Sequence, residues 1–193
     1  QLTEPFTPPI PREQTAQLKA AAQRKWADSL LTSAEQLPDP QARPIRVRAR
    51  GQYRAAGRTH ARLAQYRITT RQYPEDVWNS AENYLLGHDF QRAERMLNEY
   101  LEVETRHRRA RALSGLGEAL VSLNRLDEAI AAFNDCIEFH EKDPSAYRAR
   151  LLCSSSYTEL GEFDKAQKLL LDNLYHESLT PKSLEWRDSL FAL

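Results

Sequence analysis

The sequence predicts an all-α fold, a solenoid of stacked antiparallel helix pairs, and three observations carry that expectation. Its second half repeats itself: Ala93, Ala129 and Ala166 fall 36 and 37 residues apart, each at the end of a similar phrase, opening at Phe90, Leu126 and Phe163. A period of that size belongs to helical hairpins that bury their apolar faces on one another rather than on a single core. Apolar residues within the repeat recur at helical spacing. Only 6 glycines interrupt the 193 residues, of which 41% are hydrophobic.

The clearest copy runs from Ala110 to Pro144. Leu113, Leu116, Gly117 and Leu120 fall at i, i+3, i+4 and i+7, one face of a first helix. Asn124 ends that helix, because asparagine tolerates the left-handed conformation of a helix C-terminus. Asp127 opens a second helix as an N-terminal acid, and its apolar stripe is Ala129, Ile130, Phe133, Cys136 and Ile137. Gly117 and Ala129 are small so that the two helices can approach, with Leu116 and Phe133 filling the space beside them.

These residues resemble the tetratricopeptide repeat, whose pattern is a large residue, Leu-Gly and Tyr on the first helix, then Ala, Phe and Ala on the second. The match is Leu113, Leu116, Gly117, Leu120, Ala129, Phe133 and Cys136. The following copy keeps Cys153, Ser154, Tyr157, Gly161, Phe163, Ala166 and Leu170; the preceding one keeps Val77, Ser80, Ala81, Tyr84, Phe90, Ala93, Leu97 and Tyr100. Three copies are expected, at about 74–109, 110–146 and 147–183. Each is slightly longer than the family's roughly 34 residues, which predicts second helices extended by most of a turn. The resemblance implies a right-handed superhelix.

The rest of the chain is less regular. Pro5, Pro8, Pro9 and Pro11 predict an extended arm over 1–11. Ala22, Trp26, Leu30, Ala34 and Leu37 predict one amphipathic helix from Arg12, stopped by Pro38 and Pro40. Residues 41–73 carry nine arginines among Tyr53, Leu63, Tyr66 and Ile68, and read as a helix or a helix pair interrupted near Gly51 or Gly57. Tyr53, Ala61, Ala64 and Ile68 would be the core of a degenerate repeat there. Pro181 opens a last helix, Leu184 to Leu193, that reads as the start of a further unit, so a longer parent protein is expected.

Net charge is zero, yet residues 1–73 carry 13 Lys and Arg against 5 Asp and Glu, and residues 74–193 carry 14 against 22. The chain is therefore charge-segregated. No apolar run reaches the roughly 18 residues that would cross a membrane. Cys136 and Cys153 make no disulfide framework; they read as small core thiols, with a bridge between neighbouring helices as the alternative. His60, His88, His107, His140 and His176 are scattered, so neither a metal nor a cofactor is expected. Gly115 and Gly117 lie inside a helical period and serve packing, not phosphate binding. Ser154, Ser155 and Ser156 lack a nucleophile elbow. No enzyme constellation emerges.

Surface remains. In the resembled family the first helices line a concave groove, and its offsets fall here on Glu75, Trp78, Glu82 and Leu85, on Arg111, Ser114, Glu118 and Ser122, and on Arg148, Leu151, Ser155 and Glu159. Such a groove would bind an extended or helical peptide of another protein, with Trp78 either as aromatic anchor or within a helix seam. The Lys and Asn by which some members grip a carboxyl terminus are missing at these offsets. The expected function is a non-enzymatic scaffold for a protein partner. Two alternatives are nucleic-acid binding through a basic patch of Arg43, Arg46, Arg50, Arg54 and Arg58, and a homo-oligomer stacked end to end through the last helix.

Overall fold

The computed structural model describes residues 12–193; the Pro-rich arm expected at 1–11 lies outside the described residues. Among those described there are nine helices and no strand: α1 Arg12–Glu35, α2 Asp39–Tyr66, α3 Tyr73–Leu86, α4 Phe90–Val103, α5 Arg109–Ser122, α6 Leu126–Phe139, α7 Pro144–Glu159, α8 Phe163–Leu174 and α9 Leu184–Ala192. They fall into two compact units, Gln1–Asp89 and Phe90–Leu193. The division runs through the first expected repeat, leaving α3 in one unit and α4 in the other.

In the first unit α1 and α2 form an antiparallel hairpin, and α2 packs on α3. Along α1 the residues Asp28, Gln23 and Glu13 meet Tyr53 and Thr59 within α2 and Arg67 just beyond its end, in opposite order, as an antiparallel pair requires. The seam is alanine: Ala20, Ala27 and Ala34 on α1, and Ala42, Ala49 and Ala56 on α2, all at most 1% exposed. A spacing of seven residues is nearly two helical turns, so each series stays on one side of its helix. The absence of side-chain bulk there lets the helices approach closely. This corrects two expectations. Trp26 is 46% exposed and Ile68 64%, so neither is core; alanine, not the larger residue, faces the partner helix. Also, α2 is continuous through Gly51 and Gly57. Gly57 is there for room, since a Cβ on it would lie 2.9 Å from the ring of Tyr84 on α3.

In the second unit the helices alternate as the repeat demands: α5 packs on α4, α6 and α7, while α7 packs on α6, α8 and α9. Phe133 of α6 is fully buried and meets Gly117 of α5, where an added Cβ would stand 2.3 Å from the ring. Side chains on second helices also bind the opening turn of first helices: Cys136 Sγ donates to Ala110 O (3.3 Å) and Asn173 Nδ2 to Tyr147 O (2.9 Å). The two bonds stand 37 residues apart at both ends. Second helices are not extended: α5 and α6 are both 14 residues, and the extra length lies in connections such as 104–108 and 140–143.

The turn between first and second helix recurs in both units. His88, Asn124 and Gly161 adopt φ of 52°, 59° and 78°. The next backbone N–H then reaches back five residues, from Asp89 to Tyr84 O, Arg125 to Leu120 O and Glu162 to Tyr157 O, each at 2.9 Å. This is the left-handed cap that satisfies orphan carbonyls at a helix C-terminus.

Candidate protein-interaction site

Of the groove positions expected in α3, Glu75 is exposed and Leu85 half-buried, while Trp78 and Glu82 are withdrawn. Trp78 is 4% exposed, so it offers no anchoring surface. Glu82 is held by an ion pair with Arg24 of α1. Nearby, Arg67 binds Asp76 Oδ2 through Nη1 and Glu13 Oε2 through Nε, both at 3.1 Å. Burial disfavours the Arg67 charge, but these two carboxylates outweigh it and hold its pKa above the ordinary arginine value. Sequence periodicity could not announce this, because the groove positions are periodic while Arg24 and Glu13 belong to a helix outside the repeat.

The second unit differs. Arg111, Ser122, Arg148, Ser155 and Glu159 are exposed, and Glu118 and Leu151 partly so; Ser114 is buried at 4% and lines the helix interface instead. Arg111, Glu118 and Ser122 on α5 correspond to Arg148, Ser155 and Glu159 on α7 at a constant interval of 37 residues. The two helices meet at this face, where Arg148 Nη2 lies 3.0 Å from Glu118 Oε2. Their side chains remain 55% and 39% exposed, and an exposed pair of this kind holds itself together weakly. Either charge can therefore exchange its partner for one on a docking chain.

The five arginines of the expected basic patch share a side of α2. At about 100° per residue, positions 43, 46, 50, 54 and 58 fall within a sector of about 120°. Arg43 and Arg58 are exposed, whereas Arg46 binds Asp39 at 2.7 Å and Arg54 packs its stem against Gly87. Both cysteines are free and buried; burial pushes each thiol pKa up to about 12. On α9, Leu190 and Phe191 are 47% and 86% exposed. Among the described residues no group of His, Cys, Asp and Glu could hold a metal ion, and no helix is long and apolar enough to cross a membrane.

The family model of the tetratricopeptide repeat matches residues 110–143, the segment that forms α5 and α6. Residues 110–143 are a tetratricopeptide repeat. Solved structures extend the likeness of fold along the chain. The nearly identical TPR-like repeats of Podosopora anserina, ascribed to a kinesin light chain, superpose with a TM-score of 0.57 at 14% identity, over 90% of this chain and 100% of that one. The MamA RS-1 double mutant gives 0.55 at 17% identity, over 81% and 74%. MamA AMB-1 gives 0.55 at 16%, over 91% and 96%. No curated protein matches in sequence. The tetratricopeptide-repeat match at 110–143 supports a protein-interaction scaffold in general terms.

Proposed function

We propose that this chain is a non-enzymatic tetratricopeptide scaffold that holds another protein on the face shared by α5 and α7. Arg111, Glu118, Arg148, Ser155 and Glu159 provide the contacts. The Arg148–Glu118 pair supports this reading most directly: it is half-exposed, spans neighbouring first helices and presents both signs of charge to an extended or helical segment. Glu82 is engaged by Arg24 inside the first unit and the buried Trp78 offers no anchor, so neither is among the contacts. The test is affinity capture from native extract, with and without nuclease, comparing the wild type with an Arg111→Ala, Arg148→Ala double variant. Protein partners that survive nuclease and disappear with the variant support the reading; partners that ignore the variant overturn it.

A second reading is favoured by the arginine-bearing side of α2. If it binds nucleic acid, affinity for a short single-stranded oligonucleotide falls steeply with salt and drops on Arg43→Ala, Arg58→Ala substitution. The exposed Leu190 and Phe191 favour self-association through α9, which would make the sedimenting mass concentration-dependent and sensitive to Phe191→Asp.

A further inference from the structure

Three charged side chains among the described residues are buried: Arg67, Asp76 and Arg150. Arg67 and Asp76 pair with each other. Arg150 on α7, 4% exposed, has neither an ion pair nor a hydrogen bond among the described residues; its Nη1 is sealed from solvent without a partner. The ring of Tyr147 lies 5.7 Å from its guanidinium carbon, and its charge and that of Asp143 both act on the buried Cys136 thiol. A buried cation without a counter-ion is costly, so its presence needs a reason that packing does not give.

Arg150 borders a cavity of about 700 Å³ formed by the α6–α7 connection, the end of α8 and the turn at 175–178. Two further donors line it, Lys142 and His176. His176 Nδ1 accepts from Ser178 N at 3.2 Å, so the neutral ring carries its proton on Nε2 and keeps a donor there. The rim is acidic, with Glu141, Asp172 and Glu177, none of which comes within 4.0 Å of the guanidinium. Arg148 and Arg150 stand about 200° apart around α7. The cavity is therefore on another side of the helix from the face proposed above and does not depend on that reading.

We propose that this cavity binds a peptide carboxylate flanked by a basic residue. The carboxylate is taken by Arg150, Lys142 and His176, as charge-assisted hydrogen bonds favour. The flanking base is met by the acidic rim, which would repel a bare multivalent anion. Because Nη1 is sealed, seating the ligand requires the exposed turn around Tyr175, 83% exposed, to shift.

The test uses the full chain, labelled with nitrogen-15, and two blocked probes, acetyl-Glu-Lys amide and its neutral counterpart acetyl-Gln-Lys amide. Acetyl-Lys-Gly free acid is added to distinguish a C-terminal carboxylate from a side-chain one. At least one carboxylate probe should give saturable amide shifts at residues 150 and 175–178 with Kd of about 1 mM. The neutral probe should bind about tenfold more weakly or worse, and Arg150→Met should lose the carboxylate preference. Absence of saturation with both carboxylate probes, equal binding of the neutral probe, or undiminished binding by folded Arg150→Met overturns the proposal. Should Arg150→Met not fold, the wild-type comparison of charged and neutral probes decides.

Discussion

Replacing Gly117 with alanine probes the contact on which the α5–α6 hairpin closes. The new Cβ would stand 2.3 Å from Phe133 Cε1 and 2.6 Å from both Cδ1 and Cζ, where carbon atoms in contact prefer about 3.5–4.0 Å. Phe133 is 0% exposed, so its ring has no solvent to move into; either it leaves its rotamer or the helices part. Overpacking of this kind costs about 1–3 kcal/mol, while alanine's better helix propensity returns up to about 1 kcal/mol. The net expectation is a loss of about 1–2 kcal/mol, or roughly 2–8 °C in Tm for a chain of this size. Gly51→Ala is the control, since nothing lies within 4 Å of that Cβ and the helix gain of about 0.5–1 kcal/mol stands alone. Urea unfolding followed by far-ultraviolet circular dichroism measures both, and Gly117→Ala, Phe133→Leu should recover part of the loss. A Gly117→Ala variant as stable as Gly51→Ala would refute the close-packing argument.

At the α7–α8 turn, Gly161→Ala meets no neighbour but must hold φ at 78°; it should cost about 1 kcal/mol in the same assay. Cys136 and Cys153 should resist alkylation by iodoacetamide at neutral pH until the chain unfolds. Since the folded thiols keep protons to about pH 12 that unfolded thiols release from about 8.5, stability should fall as pH rises through that window. Two carboxylates act at the other end of the scale. Glu104 is held below its ordinary pKa first by the backbone N–H of Arg106, then by that of His107, and Glu128 by the side chain of Arg125. Their stabilisation is present above about pH 4.3 and lost as pH falls through the lower folded values. Glu104→Gln and Glu128→Gln should therefore each narrow the drop in urea midpoint between pH 6 and pH 3. Arg150→Met should leave stability unchanged or raise it by about 1 kcal/mol or more, because an unpaired buried charge is removed; a loss of several kcal/mol would mark Arg150 as structural.

The repeat was legible because its causes are local. A helical period, a residue fit for φ near 60° after each first helix, and a small residue facing Phe133 all sit within one stretch of about 36 residues. Asn124 and Gly117 did at the structural level what their chemistry foretold. The arginine-rich stretch misled at Gly57 because glycine signals two different things, a break in a helix or a vacancy for a neighbour's ring, and only the position of Tyr84 distinguishes them. Trp26 misled similarly, since amphipathic spacing does not say that the facing helix will approach on alanine.

The sequence by itself determined the fold class, the repeat period and the residues that could line a binding face. Tertiary structure alone decided which of those residues remain available. Arg24 reaches Glu82 across 58 positions of chain and Asp28 reaches Tyr53 across 25, partnerships that depend on how α1 returns along α2 rather than on any periodic pattern. Arg150 carries no signal in its own neighbourhood either. Its burial follows from the packing of α7 among α6, α8 and α9, and a charge without a counter-ion can be recognised only once every neighbour's position is known.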